Sequence, residues 1–151
     1  MIYLVRHADA VSDEEDPNRP LSEKGRAQMA RVCTILRTIP LFQPDEIWHS
    51  PLERSRETAE CLSRDLKLSA PVVLKAGLEP DDDPSRNAAL LTAEKRNIAV
   101  VGHEPHLGIL TSLMVHGPVR SGGFFPFPKA AVLLLTRNGA RWHSEWLVRA
   151  P

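Results

Sequence analysis

Two short runs, Ile2-Tyr3-Leu4-Val5 and Ile98-Ala99-Val100-Val101, are apolar at every position rather than at alternate ones. A strand with one solvated face would alternate, so these read as strands buried on both faces. That is the condition of a parallel sheet covered by helices on each side. Each run ends in a histidine: Arg6-His7-Ala8 follows the first and Gly102-His103 the second. In an open α/β sheet, ligands bind in the crevice beyond the carboxyl ends of the strands. The small Ala8 is expected to let a ligand come close to the backbone there, and the second run likewise ends in a small residue, Gly102, before its histidine.

A third strand near Glu46-Ile47-Trp48-His49 runs into Ser50-Pro51-Leu52-Glu53-Arg54. Here Ser50 is expected to cap a helix, with Pro51 as its first residue and Glu53 closing a capping box. Arg54 then stands about one turn into that helix, beside the positive end of its dipole. Pro105 suits the first turn of another helix. Three strand ends thus send His7, His103, Arg6, Arg54 and two helix N-termini toward one side of a sheet. An anion fits such a place, and phosphate fits it best.

The remaining chain alternates strand and helix. Ser22 is expected to cap a helix to about Thr38, with Met29, Val32, Cys33 and Leu36 on one apolar stripe. A helix from Pro51 to about Leu66 leads to a short strand at Val72-Val73-Leu74. An acidic turn over Asp81 to Pro84 precedes a helix from about Ser85 to Lys95. Pro105 to about Val115 is apolar on nearly every face, as expected of a helix packed on the sheet. Asn138-Gly139 marks a hairpin between Ala130–Thr136 and Arg141–Val148, with Trp142 and Trp146 expected on one face of its second strand. The expectation is a single domain over residues 1–151, of α/β class. Its three layers are a mostly parallel central sheet and helices on both faces, without cap insertions.

Composition narrows the function. Lys plus Arg and Asp plus Glu number 19 each, so no basic field points to nucleic acid. No apolar stretch nears the roughly 20 residues of a membrane span. Cys33 and Cys61 share no metal or redox spacing and read as core residues. Arg6 interrupts the first apolar run too early for a secretory signal, so a soluble, cytoplasmic protein is expected. His103-Glu104-Pro105-His106 differs from the zinc-protease arrangement: its histidines are three apart with a proline between them, which argues against a metal site.

Val5-Arg6-His7-Ala8, Ser50-Pro51-Leu52-Glu53-Arg54-Ser55-Arg56-Glu57-Thr58-Ala59 and Val101-Gly102-His103 resemble, in order and spacing, the motifs of the histidine phosphatase superfamily, the phosphoglycerate-mutase-like fold. The usual motif has Gly where Ala8 stands. The chain's length and the Arg19-Pro20-Leu21-Ser22-Glu23-Lys24-Gly25 segment look most like the SixA-type phosphohistidine phosphatases. The resemblance implies that a neutral His7 attacks phosphorus and forms a phosphohistidine intermediate, which water hydrolyses. Neighbouring cations are expected to keep that ring neutral. It further implies that Arg6, Arg54 and Arg19 bind the phosphate and that His103 donates to a phosphoryl oxygen. Glu79 is the candidate general acid, with Asp81, Asp82 and Asp83 as alternatives. No cofactor and no metal is implied, because the arginines supply the positive charge.

Blander readings stand beside these. Arg54 on a surface helix would pair with Glu57 or Thr58, and Arg19 would be neutralised by Asp13, Glu14, Glu15 and Asp16. Arg56 is expected to pair with Glu60. His49, His116 and His143 are expected to be solvated or locally bonded. Phe124, Phe125 and Phe127, framed by Gly122, Gly123, Pro126 and Pro128, are expected to be local core rather than pocket rim. The partner implied is a phosphorylated protein, such as a histidine-phosphotransfer domain. A phosphorylated sugar or nucleotide is the alternative, and a catalytically silent phosphate-binding module is a third reading from a different class.

Overall fold

The computed structural model describes residues 1–118 and 125–150. Six strands form one sheet: β1 (Ile2–Arg6), β2 (Glu46–His49), β3 (Val72–Leu74), β4 (Ile98–Gly102), β5 (Val132–Asn138) and β6 (Arg141–Val148). Their spatial order is β3-β2-β4-β1-β5-β6. The first four are parallel, and β5 and β6 close the edge as an antiparallel pair. Four helices connect them: α1 (Glu23–Leu36), α2 (Glu53–Asp65), α3 (Pro84–Ala93) and α4 (His106–His116).

The unbroken apolar runs do bury both faces. On β1, Tyr3 and Val5 enter a core with Met29, Val32, Cys33 and Leu36 of α1 and Ala59, Cys61 and Leu62 of α2. Ile2 and Leu4 point the other way, into a core with Leu91 of α3 and Leu107, Leu110 and Met114 of α4. The layers are therefore helix, sheet, helix, with two cores divided by the sheet. Ile109 is the large apolar residue of α4 left at the surface.

The α1 entrance is tightly built. Ser22 Oγ accepts from the Gly25 N–H at 3.0 Å, as a cap should. Gly25 itself permits the chain crossing there: a Cβ at this position would lie 2.0 Å from the Asp9 carbonyl oxygen. Any larger residue would force β1's exit away from α1.

The expected hairpin forms with its loop one residue later, and one expectation fails. The hairpin pairs Asn138 with Arg141, so its two-residue loop is Gly139-Ala140 rather than Asn138-Gly139, with Gly139 at a φ of 62°. More consequentially, Trp142 and Trp146 do not share a face. A register shift opposite Leu134 and Leu135 inserts an extra residue into β6, which reverses the alternation between the two tryptophans. Trp142 packs in the core beneath α4, and Trp146 packs against the core beneath α1 and α2.

Candidate active site

Strand register assembles the site. Ile2 pairs with Ile98 and Arg6 with Gly102 on parallel strands, so His7 and His103 leave the sheet side by side. Their ring centroids are 4.9 Å apart. On the other side of β4, His49 pairs with Val101, which delivers Ser50 to the same edge.

The His7 backbone is held from both sides. Its N–H donates to Gly102 O, and its carbonyl accepts from the Ala130 N–H. Its Nδ1 lies 2.7 Å from the Ala8 carbonyl oxygen. A carbonyl only accepts, so Nδ1 carries the proton and Nε2 of the neutral ring keeps its lone pair. Burial holds the His7 pKa down at about 4, against the pull of the Ala8 carbonyl. Arg54, Arg6 and Lys129 lower it further. The ring is neutral as expected, but desolvation is the larger cause and the cations the smaller.

Ala8 is fully buried, and its polar groups are already used. Its carbonyl takes the His7 proton, and its N–H donates to Thr58 Oγ1 at 3.1 Å. This small residue serves packing and helix docking rather than backbone access for a ligand. Thr58 Oγ1 also donates to the Arg54 carbonyl at 2.7 Å, tying β1's exit to the first turn of α2. Thr58 stood in the sequence only as a candidate partner for the Arg54 side chain; its bond to Ala8 has no local signal.

Ser50 corrects a second expectation. The helix starts at Glu53 with Leu52 at its N-cap, and no side chain caps it. Ser50 Oγ instead lies 2.6 Å from His103 Nε2, and Glu53 pairs with Arg56 rather than closing a capping box. Arg54 still falls in the first turn. Its guanidinium pairs with neither Glu57 nor Thr58, whose acceptors are engaged with the Leu21 N–H and the Ala8 N–H. Burial, and then the charge of Arg19, lowers the Arg54 pKa from its ordinary value. Two guanidiniums therefore share this neighbourhood. Arg56, two residues along α2, points outward into ion pairs with Glu53 and Glu60.

Arg19 returns to the site because the loop before α1 folds back on itself. Val11 N–H donates to the Pro20 carbonyl, and Arg19 Nε donates to Val11 O at 3.1 Å. Among the described residues Arg19 forms no ion pair with the acidic run 13–16.

Arg6 Nη1 donates to the Phe127 carbonyl at 2.5 Å. The Phe127 N–H in turn donates to Glu104 Oε1 at 2.7 Å, while Glu104 Oε2 accepts from the Gly108 N–H in the first turn of α4. Glu104 is thus a strut between α4, residue 127 and Arg6. Its sequence signal was obscured by the resemblance to a metal motif. Of three buried side-chain nitrogens without a partner among the described residues, two belong to this site, Arg6 Nε and His103 Nδ1; the third is Trp146 Nε1.

Lys129 is a cation that sequence reasoning also missed. It pairs with Asp9 at 2.6 Å, where Ser22 Oγ joins the same carboxylate at 2.7 Å. Phe127 is buried and Phe125 packs against the same core, as expected for the apolar loop. Gly122, Gly123 and Phe124 lie outside the described residues.

His106 bonds to the Asp82 carbonyl and the Asn87 side chain. His49 is buried and bonded to the Ser50 carbonyl, whereas His116 and His143 are exposed. Glu79 is exposed, and its N–H donates to Asp82 Oδ2. Among the described residues no group of three or more His, Cys, Asp and Glu side chains could hold a metal ion. No helix among them is long and apolar enough to cross a membrane.

The family model of the histidine phosphatase superfamily (branch 1) matches residues 2–79. No curated protein gives a significant match. The fold is similar to that of the protein histidine phosphatase SixA complexed with tungstate, at 22% identity and a TM-score of 0.86, covering 99% of this chain and 96% of that one. It is also similar to a mycobacterial glucosyl-3-phosphoglycerate phosphatase, at 19% identity and a TM-score of 0.71, covering 95% and 96%. A phosphoserine phosphatase from Entamoeba histolytica, in complex with 3-phosphoglyceric acid, matches at 16% identity and a TM-score of 0.70, covering 97% and 95%.

Proposed function

Because the chain belongs to the histidine phosphatase superfamily, which implies a phosphatase, we propose that it hydrolyses phosphohistidine on a protein through a phosphorylated His7. One observation carries the chemistry: His7 commits Nδ1–H to the Ala8 carbonyl and keeps an Nε2 lone pair in a cluster of cations. The Nε2 lone pair forms the N–P bond as the bond from phosphorus to the leaving nitrogen breaks. That nitrogen takes a proton from water. A second water then attacks phosphorus and gives up a proton, which breaks the N–P bond and releases phosphate and neutral His7.

The orphaned Arg6 Nε–H and the Arg54 guanidinium are the donors that fit phosphoryl oxygens, and Arg19 adds charge beside Arg54. His103 Nδ1 faces the same need. These groups supply the positive charge, so no metal takes part. We assign Glu79 the role of general acid for oxygen leaving groups alone. A phosphohistidine leaving group is itself a base and does not depend on it.

The choice of substrate rests on the walls. Of the three candidate walls, residues 9–19 and 78–84 contain no aromatic side chain on which a sugar or base could stack, and 13–15, 79, 81 and 83 are exposed acids. The third, residues 121–128, carries Phe124, Phe125 and Phe127, of which Phe127 is buried in the core and Phe125 packs against it. Selective small-molecule sites enclose most of their ligand. An open, acid-rimmed cleft suits a side chain presented by another folded protein, such as a histidine-phosphotransfer domain. The SixA relative's tungstate, an oxyanion shaped like phosphate, is in keeping with the anion site. Two buried free cysteines suit a reducing, cytoplasmic compartment.

Phosphorylated sugars are the second reading. The glucosyl-3-phosphoglycerate phosphatase shares the fold over 96% of its own length, so a lack of insertions does not by itself set the two apart. The test compares kcat/KM for a phosphorylated histidine-phosphotransfer domain with a panel of sugar phosphates and nucleotides, in the presence of EDTA. The phosphoprotein is expected to lead. A metabolite hydrolysed about a hundredfold better, roughly 2.7 kcal/mol of transition-state preference, would replace this reading with the small-molecule one.

A further inference from the structure

We propose that Ser50 is a positioning residue that holds His103 in the Nδ1–H tautomer, so that a hydrogen-bond donor already faces the phosphate before substrate arrives. The inference rests on the reading of the site as a phosphatase centre, but its first measurement does not. Ser50 is completely buried at the end of β2, with Oγ 2.6 Å from His103 Nε2. Its position is set independently of His103. The Ser50 N–H donates to Ser55 Oγ at 3.1 Å, and Ser55 Oγ donates to the Val101 carbonyl at 2.8 Å, which locks β2, α2 and β4 together.

The proton follows from counting. A serine hydroxyl has one proton to give and two lone pairs to accept with. Ser50 Oγ already accepts from the Leu52 N–H at 3.3 Å. Its own proton has one acceptor within reach among the described residues, His103 Nε2. When Ser50 donates there, the ring proton of a neutral His103 must sit on Nδ1. Nδ1 is the buried nitrogen without a partner. In the opposite tautomer Nε2–H would donate to Ser50, leaving the hydroxyl proton unused and a bare lone pair at Nδ1. That lone pair would face phosphoryl oxygens that only accept. The second arrangement loses a hydrogen bond in the resting enzyme and opposes the anion during turnover, so Ser50 selects the first.

The ring is neutral in the ligand-free protein. Burial, with His7, Arg54, His106 and Arg6 adding to it, holds the His103 pKa down at about 2. An orienting partner that sets a histidine tautomer can govern rate strongly without touching substrate.

The test begins with the unmodified protein, its histidines labelled with nitrogen-15, in long-range nitrogen–proton NMR near pH 7. His103 is expected to show a protonated Nδ1 and an unprotonated Nε2. The reverse pattern would overturn the proposal without touching the role of His7, which phosphoenzyme trapping reads separately. Ser50→Ala is expected to mix the two tautomers and to lower kcat roughly 10- to 100-fold, with KM within about threefold. Unchanged tautomer and kcat in that variant would also overturn it. Ser50→Thr keeps the hydroxyl and is expected to retain both the Nδ1–H signature and most of kcat. A threonine variant as slow as the alanine one, yet still carrying Nδ1–H, would show that the tautomer is not what Ser50 supplies.

Discussion

His7 and His103 leave neighbouring parallel strands at equivalent positions, yet they bind opposite ring nitrogens to the protein. His7 ends β1 with Nδ1 bound to the carbonyl of the very next residue. His103 ends β4 with Nε2 against a hydroxyl from a third strand. A carbonyl partner can only accept, so His7 is left with a lone pair on Nε2. A hydroxyl partner can donate, and His103 is left with a proton. On the proposed reading, the same residue type in the same register thereby divides into a nucleophile and a donor, and the division comes from one hydrogen bond at each strand end.

The sharpest way to break this comparison is to remove the two rings in turn. His7→Ala is expected to lose at least about ten-thousandfold in kcat, as when a nucleophile is deleted. Quenching with labelled substrate should then trap no acid-labile phosphoprotein. His103→Ala is expected to lose about 100- to 1000-fold, the scale of one lost donor at a developing charge. It should still carry label on His7. Equal label on both variants would dissolve the distinction between the two strand ends.

The next largest effect separates two arginines on one helix. Arg54→Ala is expected to cost about 100-fold or more in kcat/KM, because among the described residues its guanidinium forms no ion pair, and its charge acts on His7. Arg56→Ala is expected to stay within about threefold, since an exposed pair with Glu53 and Glu60 contributes little. Similar losses in steady-state assays of both variants would mean that α2 is rotated from the orientation seen here.

The finest test titrates the first histidine. Burial lowers its pKa from 6.5 to about 4, so the folded ring is neutral at pH 6 while an unfolded one is partly charged. The unfolded state therefore binds more protons between these values. His7 should lower stability as pH falls from about 6.5 toward 4, with no effect above that window. NMR titration of the free enzyme should place the His7 inflection near pH 4. An inflection near 6.5 would mean that the ring is solvated and that no desolvation separates it from an ordinary histidine.

Much of this was legible in the chain. Unbroken apolar runs at β1 and β4 demanded a covered parallel sheet, and the stripe of Met29, Val32, Cys33 and Leu36 placed α1 on it. These are short-range periodicities, which backbone geometry converts directly into faces. The candidates His7, Arg6 and His103 could be picked out for a similar reason, since each sits at or just past a strand end, and Arg54 because it falls in the first turn of the helix that follows β2. The tertiary structure alone decided their partners. Ser50 reaches His103 across 53 residues, Lys129 reaches Asp9 across 120, and Glu104 holds Phe127 across 23. Such pairs exist because the strand order places β2, β4, β1 and β5 side by side, and no local pattern records which strands become neighbours. The two tryptophans of β6 show the same limit: one extra residue in a ladder reverses a face. Local periodicity is a property of the chain, whereas register and hydrogen-bond partnership belong to the packed sheet.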